Sequence, residues 1–139
     1  MFGNKDDLRQ KYCDIYTRMQ ADDTFPDRLE QMIANVISMH PEYHPLLADS
    51  EKSIDSEYGP DKGQANPFLH MGMHLAVWEQ IATNRPEGIR DEHLRLIKLS
   101  NEHQAEHQMM EILGITLWEA QRNNIPPDEA KYLEAIRKI

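Results

Sequence analysis

Residues 66–83, NPFLHMGMHLAVWEQIAT, constrain the fold most, because they predict a central helix with histidines on its buried side. Asparagine followed by proline is a strong helix start, since the asparagine side chain caps free backbone amides and proline suits the first helical position. At about 100° per residue, His70 and His74 fall on the same side of this helix as Val77. The two imidazoles therefore point inward, where polar groups need partners.

The rest of the chain also has helical periodicity, and no stretch alternates at a period of two for long enough to predict a strand. Residues 49–65 are polar and contain Gly and Pro, which indicates a long loop. Helices are predicted over residues 4–21, 26–40, 66–83, 86–99, 102–123 and 128–138, with a short helical turn at Leu46 and Leu47 and a short break at Ser100-Asn101. The length of 139 residues fits one ordinary domain. We expect an all-α, single-domain helical bundle of five or six helices covering residues 1–139.

Charge and hydropathy exclude several classes of partner. The formal net charge of −9 and the lack of Lys/Arg clusters argue against nucleic acid and anionic membranes. No apolar run approaches a membrane span, and the N-terminus lacks the apolar core of a signal peptide, so the expected location is the cytoplasm. The single cysteine, Cys13, has no partner for an internal disulfide. A small molecule, another protein or a second copy of the chain stays open as a partner.

The histidines form the most unusual pattern in the chain. Six of the seven are paired at a spacing of i, i+4: His40 and His44, His70 and His74, His103 and His107. On a helix this spacing stacks two imidazoles on one face, about 5 to 6 Å apart at Cβ, which is close enough to bind one ion. The remaining histidine, His93, lies on an amphipathic helix and is expected to be a core residue.

The segment HQAEH carries the last pair together with Glu106. We expect His103 and His107 to share a buried helix face with Met110 and Trp118, and Glu106 to be buried as well. The carboxylate has three candidate roles: metal ligand, partner that orients an imidazole, or base. HQAEH also matches the H-x-x-E-H pattern of inverted zinc peptidases, which makes Glu106 the candidate base, although three fixed positions are a weak signal.

These patterns predict a transition-metal site in the helical core. Imidazole-rich ligation favours Zn, Fe or Ni over Mg or Ca. The predicted ligands are His70, His74, His103 and His107, assisted by some of His40, His44 and Glu106. The function would be that of a metal-dependent hydrolase or a metal or oxygen sensor. The alternative is a metal-free structural or protein-interaction domain whose histidines form a hydrogen-bonded polar core.

The chain resembles a bacterial family catalogued as domain of unknown function 1841, in the segments HPEYHPLL, NPFLHMGMHLAVWEQ, RPEGIR, AEHQMMEIL and LWEAQR. The resemblance extends from MFGNKDDLR to YLEAIRKI. It implies a small bacterial protein but supplies no activity, substrate or cofactor. A more distant similarity, limited to His-x-x-x-His on bundle helices, is to helical-bundle metalloproteins such as the haemerythrins and the DinB-like hydrolase-transferase fold. The haemerythrin His-x-x-x-Glu and His-x-x-x-x-Asp elements do not occur at corresponding places, so a di-iron oxygen carrier is not expected.

Overall fold

The computed structural model describes residues 5–58 and 66–139, and within these ranges the only regular secondary structure is helical. This part of the chain contains eight α-helices: α1 (Lys5–Gln20), α2 (Arg28–Ser38), α3 (His44–Leu47), α4 (Ser50–Asp55), α5 (Pro67–Thr83), α6 (Ile89–Leu99), α7 (Glu102–Asn123) and α8 (Glu129–Arg137). A 3₁₀ turn, Pro41–Tyr43, precedes α3. The all-α prediction is confirmed. The predicted number of five or six helices is wrong because the segment between α2 and α5 holds two further short helices.

Helix α4 lies within the predicted loop over residues 49–65. The Asp49 side chain caps its start by accepting a hydrogen bond from the Lys52 amide at 3.0 Å. At its other end, the buried Arg9 guanidinium of α1 donates to the carbonyls of Ser53 and Ser56 at 2.9 and 2.7 Å. These contacts satisfy carbonyls that a six-residue helix leaves open, and they come from a distant part of the sequence. Residues 59–65 of the predicted loop lie outside the described residues, as do residues 1–4.

Side-chain caps set several helix ends where the sequence predicted them. The Asn66 carboxamide oxygen accepts from the amides of Phe68 and Leu69 at 3.0 and 3.2 Å, which starts α5 as expected. Asn101 accepts from the Gln104 amide at 2.8 Å and starts α7. The predicted break between α6 and α7 is therefore confirmed.

Two predicted helix starts were too early. Helix α2 begins two residues later than predicted, because the Asp27 carboxylate caps the Glu30 amide at 3.0 Å. Helix α6 begins three residues later than predicted, after Gly88, whose φ of 101° lies in the left-handed region that favours glycine. The Asn84 side chain accepts from the Gly88 and Arg90 amides and holds this turn. In both places a polar side chain overrides the earlier proline as the start signal.

The structure divides into two compact units, Met1–Gly72 and Met73–Ile139, and helix α5 begins in the first and ends in the second. In the first unit, α1 packs against α2 and α4. Its buried aromatic contact joins Tyr12 and Phe68, with ring centroids 5.8 Å apart. Burial raises the pKa of Tyr12 to about 12. The prediction of a single domain over residues 1–139 stays a prediction.

In the second unit, α7 packs against α6 and α8 around an apolar core. The buried core residues are Val77, Ile89, Leu96, Ala105, Met109, Met110, Leu113, Tyr132, Leu133 and Ile136. The Tyr132 hydroxyl donates to the Gln80 carboxamide oxygen at 2.6 Å, which satisfies the polar tip of a buried side chain.

Within residues 5–58 and 66–139, no helix combines the length and apolar character that a membrane span requires.

Candidate functional site

The first histidine pair lies in the first unit, where the end of α2 meets the start of α5. His40 is buried, and its Nε2 lies 3.1 Å from Nε2 of His70. The Nδ1 of His40 lies 2.7 Å from the Val36 carbonyl oxygen. Because a carbonyl only accepts, Nδ1–H is the donor, and in the neutral ring the lone pair lies on Nε2. His40 therefore directs a lone pair toward His70.

Tyr43, in the 3₁₀ turn, fixes the orientation of this pair. Its ring stacks on His40 with centroids 5.3 Å apart and an angle of 6° between the planes. It also meets the ring of His70 edge-on at 6.2 Å. Burial raises the pKa of Tyr43, so the phenol stays neutral at physiological pH. Tyr43 of the HPEYHP corner thus places an aromatic ring beside the two imidazoles.

The second group lies in the second unit and is built around a buried carboxylate. Nε2 of His74 lies 2.7 Å from Oε1 of Glu106, and the two side chains are 1% and 3% exposed. A carboxylate accepts only, so Nε2–H is the donor and the neutral ring carries its lone pair on Nδ1. Histidines that bind metals commonly donate their second ring N–H to a carboxylate in this way. The predicted burial of His74 and Glu106 is confirmed.

Two further side chains surround Glu106. The indole N–H of Trp78 donates to the same Oε1 that His74 contacts. His93, on α6, is 8% exposed, and its Nε2 lies 3.9 Å from Oε2 with no hydrogen-bond partner among the described residues. Burial alone would raise the pKa of Glu106, but the hydrogen bonds from His74 and Trp78 and the nearby imidazoles lower it below its usual range. Glu106 is therefore a buried anion at neutral pH.

His107 extends this group from the next position on α7. Its Nδ1 lies 3.0 Å from the His103 carbonyl oxygen, so Nδ1–H donates and the lone pair of the neutral ring lies on Nε2. Its ring centroid is 5.7 Å from that of His74, and a nitrogen of one ring lies within 4.8 Å of a nitrogen of the other. His74 and His107 are thus within reach of a common ligand.

His103 is exposed, and its predicted burial is wrong. The buried face of α7 is centred on Ala105, Met109 and Leu113, which is rotated by about 100° from the predicted face. The predicted face relied on Trp118, which is 58% exposed. The His103 ring contacts His107, with centroids 4.1 Å apart, so it caps the group from the solvent side. Its role as a ligand stays a prediction.

His44 forms a structural contact at the end of α2. Its Nε2 lies 2.8 Å from the Ile37 carbonyl oxygen, to which it donates, and its ring centroid is 5.0 Å from that of Tyr16. The structure thus gives the two histidines of the HPEYHP corner different environments. The role of His44 as a ligand also stays a prediction.

His93 and Trp78 are the members of the group that the sequence did not assign to a site. His93 follows the apolar stripe of α6 between Ile89 and Leu96, which signals a buried polar side chain but not its partner. Trp78 is one turn beyond His74 on α5, with the two ring centroids 4.5 Å apart. Its indole N–H needs an acceptor, and only the packing of α7 supplies one.

Helix α5 carries a histidine of each group. His70 and His74 are one turn apart on this helix, the first in the first unit and the second in the second unit. His40 contacts the first of them and His107 contacts the second. Each histidine of the central helix therefore has a neighbouring imidazole from another helix or turn.

Within residues 5–58 and 66–139, the fold is all-helical, and the buried polar side chains include histidines and the Glu106 carboxylate. A family profile described as Domain of unknown function (DUF1841) matches residues 4–138, and the chain belongs to that family, as the sequence resemblance predicted. Comparison with curated proteins and with solved structures gave no match. The function must therefore be argued from the residues themselves.

Proposed function

We propose that this protein binds transition metal ions through histidine pairs within its two units, His40 and His70 in the first and His74 and His107 in the second. The observation that carries the proposal is the state of three of these rings. Each donates one ring N–H to an oxygen, which places the lone pair of the neutral ring on the other nitrogen. The acceptors are the Val36 carbonyl for His40, the Glu106 carboxylate for His74 and the His103 carbonyl for His107.

The distance within the first pair supports ligation. Two nitrogens bound at about 2.0 to 2.1 Å in a tetrahedral site lie about 3.3 to 3.4 Å apart. The Nε2 atoms of His40 and His70 are 3.1 Å apart, so both can reach one ion with a shift of a few tenths of an ångström. Neutral imidazoles favour Zn, Fe or Ni, and they disfavour Mg and Ca, which prefer oxygen ligands.

The environment of the candidate base favours retention or sensing of the ion over hydrolysis. A hydrolytic site needs a group that can take a proton from metal-bound water. Glu106 instead accepts hydrogen bonds from His74 and Trp78. We therefore place a metal-sensing or metal-stabilised role before a hydrolytic one.

One observation favours the metal-free alternative. The distance of 3.1 Å between His40 and His70 is also normal for a hydrogen bond in which Nε2–H of His70 donates to Nε2 of His40. In that case the histidines form a polar core network and the protein acts through its surface. Metal content separates the two functions.

The first experiment measures bound metal in untagged protein by mass spectrometry and records thermal unfolding with Zn²⁺, Ni²⁺, anaerobic Fe²⁺ or a chelator. We expect at least one ion per chain and a higher melting temperature with the preferred ion, because free ion at about 100 times Kd stabilises the fold by about 2.7 kcal/mol. Substoichiometric metal, together with a melting temperature that no ion or chelator changes, would overturn the proposal.

The second experiment compares His103 and His107 of α7, with His74 of α5 as a further predicted ligand. His107→Gln should lose the ion of the second unit, as should His74→Gln, while His103→Gln should bind it as the wild type does, because the His103 side chain is exposed. Circular dichroism checks that each variant is folded. Equal losses in His103→Gln and His107→Gln would show that the ligand set is wrong.

A further inference from the structure

We infer that Glu106 is the positioning residue of the metal site in the second unit: it holds His74 in the orientation and tautomer that present Nδ1 to the ion. The inference rests on the proposed function. It separates Glu106 from the ligands and gives it a role other than that of a base.

The first step of the argument is the burial of Glu106. The residue is 2% exposed, and its Oε1 accepts hydrogen bonds from both His74 and Trp78. Its Oε2 faces the imidazole of His93 at 3.9 Å. A general base must reach a substrate proton within hydrogen-bond distance. The oxygens of this carboxylate instead face side chains of the protein itself.

The second step is the fixed geometry of His74. Its Nε2–H is 2.7 Å from Glu106, and its ring packs at 4.5 Å against Trp78, the other donor to the same oxygen. The carboxylate cannot turn without breaking two hydrogen bonds at once. The ring nitrogen that carries the proton is thus set before any ion arrives, which reduces the reorganisation that binding requires.

The third step concerns charge. Neutral imidazole ligands bring no negative charge to a divalent ion, so binding would leave two positive charges in the interior. The ionised Glu106 carboxylate offsets one of them through the His74 ring and increases the basicity of that ligand. Loss of this negative charge should weaken binding of every divalent ion, without changing which nitrogens bind it.

The test begins with the metal-free wild type. Two-dimensional ¹H–¹⁵N spectra of the imidazoles, assigned with His74→Gln, report which nitrogen of His74 is protonated. We expect the proton on Nε2 in the wild type and in Glu111→Gln, a matched change at an exposed position of the same helix. In Glu106→Gln we expect a mixture of tautomers. Competition titrations with Zn²⁺ should show affinity about 10 to 100 times weaker in Glu106→Gln than in the wild type.

The outcomes separate this inference from the proposed function. A proton on Nδ1 of His74 in the metal-free wild type would overturn the positioning role, and this measurement does not depend on whether Glu106→Gln folds. Equal Zn²⁺ affinity of folded Glu106→Gln and wild type would overturn it as well, while wild-type binding would still support the metal function. A wild type that binds no transition metal ion would overturn the metal function, and the positioning role with it.

Discussion

The His40–His70 pair and the His74–Glu106 pair differ in what holds them. In the first pair two imidazoles face each other at 3.1 Å, and a backbone carbonyl accepts the second N–H of His40. In the second pair an imidazole contacts a carboxylate at 2.7 Å, and Trp78 donates to the same oxygen. The first pair contains no carboxylate, whereas the second contains a buried anion.

This difference indicates in which pair the loss of a partner destabilises the fold more. A neutral ring that loses its partner leaves one polar group unsatisfied, at a cost of about 1 to 3 kcal/mol. Removal of the buried carboxylate leaves two donors unsatisfied, the N–H groups of His74 and Trp78, at about 1 to 3 kcal/mol each. The second pair should therefore be the more sensitive one.

The largest effect is expected for Glu106→Ala. The variant leaves the N–H groups of His74 and Trp78 without their acceptor and creates a small cavity, so we expect it to destabilise the metal-free protein by about 3 kcal/mol. Urea denaturation measures the change. Glu111→Ala, at an exposed position of α7, should stay within about 0.5 kcal/mol of the wild type. Equal costs for the two variants would mean that the buried carboxylate does not stabilise the fold.

His40→Ala comes next, at about 2 kcal/mol. The change leaves the Val36 carbonyl without its side-chain donor and removes the ring that packs between Tyr43 and His70. His103→Ala is the control, since its side chain is exposed and should contribute less than about 0.5 kcal/mol. If His40→Ala costs more than Glu106→Ala under the same denaturation conditions, the order of the two pairs is reversed.

A smaller effect, about 1 kcal/mol, is expected for Trp78→Phe. This variant keeps most of the apolar ring but removes one of the two donors to Oε1 of Glu106, while His74 still satisfies the carboxylate. Trp118→Phe provides the matched control, because Trp118 is 58% exposed and its indole lies under the Arg122 guanidinium. Chemical denaturation should distinguish the two, and a Trp118→Phe variant as unstable as Trp78→Phe would contradict the contact with Glu106.

Acid should weaken the second pair through the titration of Glu106. The pKa of this carboxyl in the folded state lies below its ordinary value of 4.5, so between these two values the unfolded chain binds more protons than the folded one. The stability that Glu106 contributes is therefore complete above pH 4.5 and is lost as the pH falls through the folded-state pKa.

The measurement compares metal-free wild type with Glu106→Gln in urea titrations at several pH values. The stability difference between them should be constant above pH 4.5 and should shrink at lower pH. A difference that grows on acidification would mean that the folded-state pKa is raised, and that burial outweighs the hydrogen bonds.

Much of the fold could be predicted because its signals are local. Asn66 and Asn101 cap amides two or three residues away, and such contacts depend only on the nearby sequence. Helix α4 could not be predicted in the same way. Its last carbonyls accept hydrogen bonds from Arg9, which is 44 residues distant from Ser53. Because this donor is so far away in the sequence, the polar composition of the segment predicted a loop.

The sequence predicted the burial of His74 on α5 correctly, but its prediction for His103 on α7 was wrong. On α5, proline and asparagine fixed the helix start, and His74 is buried as predicted. On α7, the apolar residues Leu117 and Trp118 are 40% and 58% exposed. Because the predicted buried face included these two residues, it differs from the observed buried face. His103 was therefore assigned to the interior in error.

The sequence by itself determined that the chain is helical, where most helices end, and that histidines repeat at one-turn spacing. These properties depend on interactions within a few residues. Only the tertiary structure decided that Nε2 of His40 faces His70 and that Nε2 of His74 donates to Glu106, because these partners are far apart in sequence. His40 and His70 are separated by 30 residues, and His74 and Glu106 by 32. The spacing of residues along a helix determines on which face a side chain lies, whereas the packing between helices determines which residues of other helices it contacts.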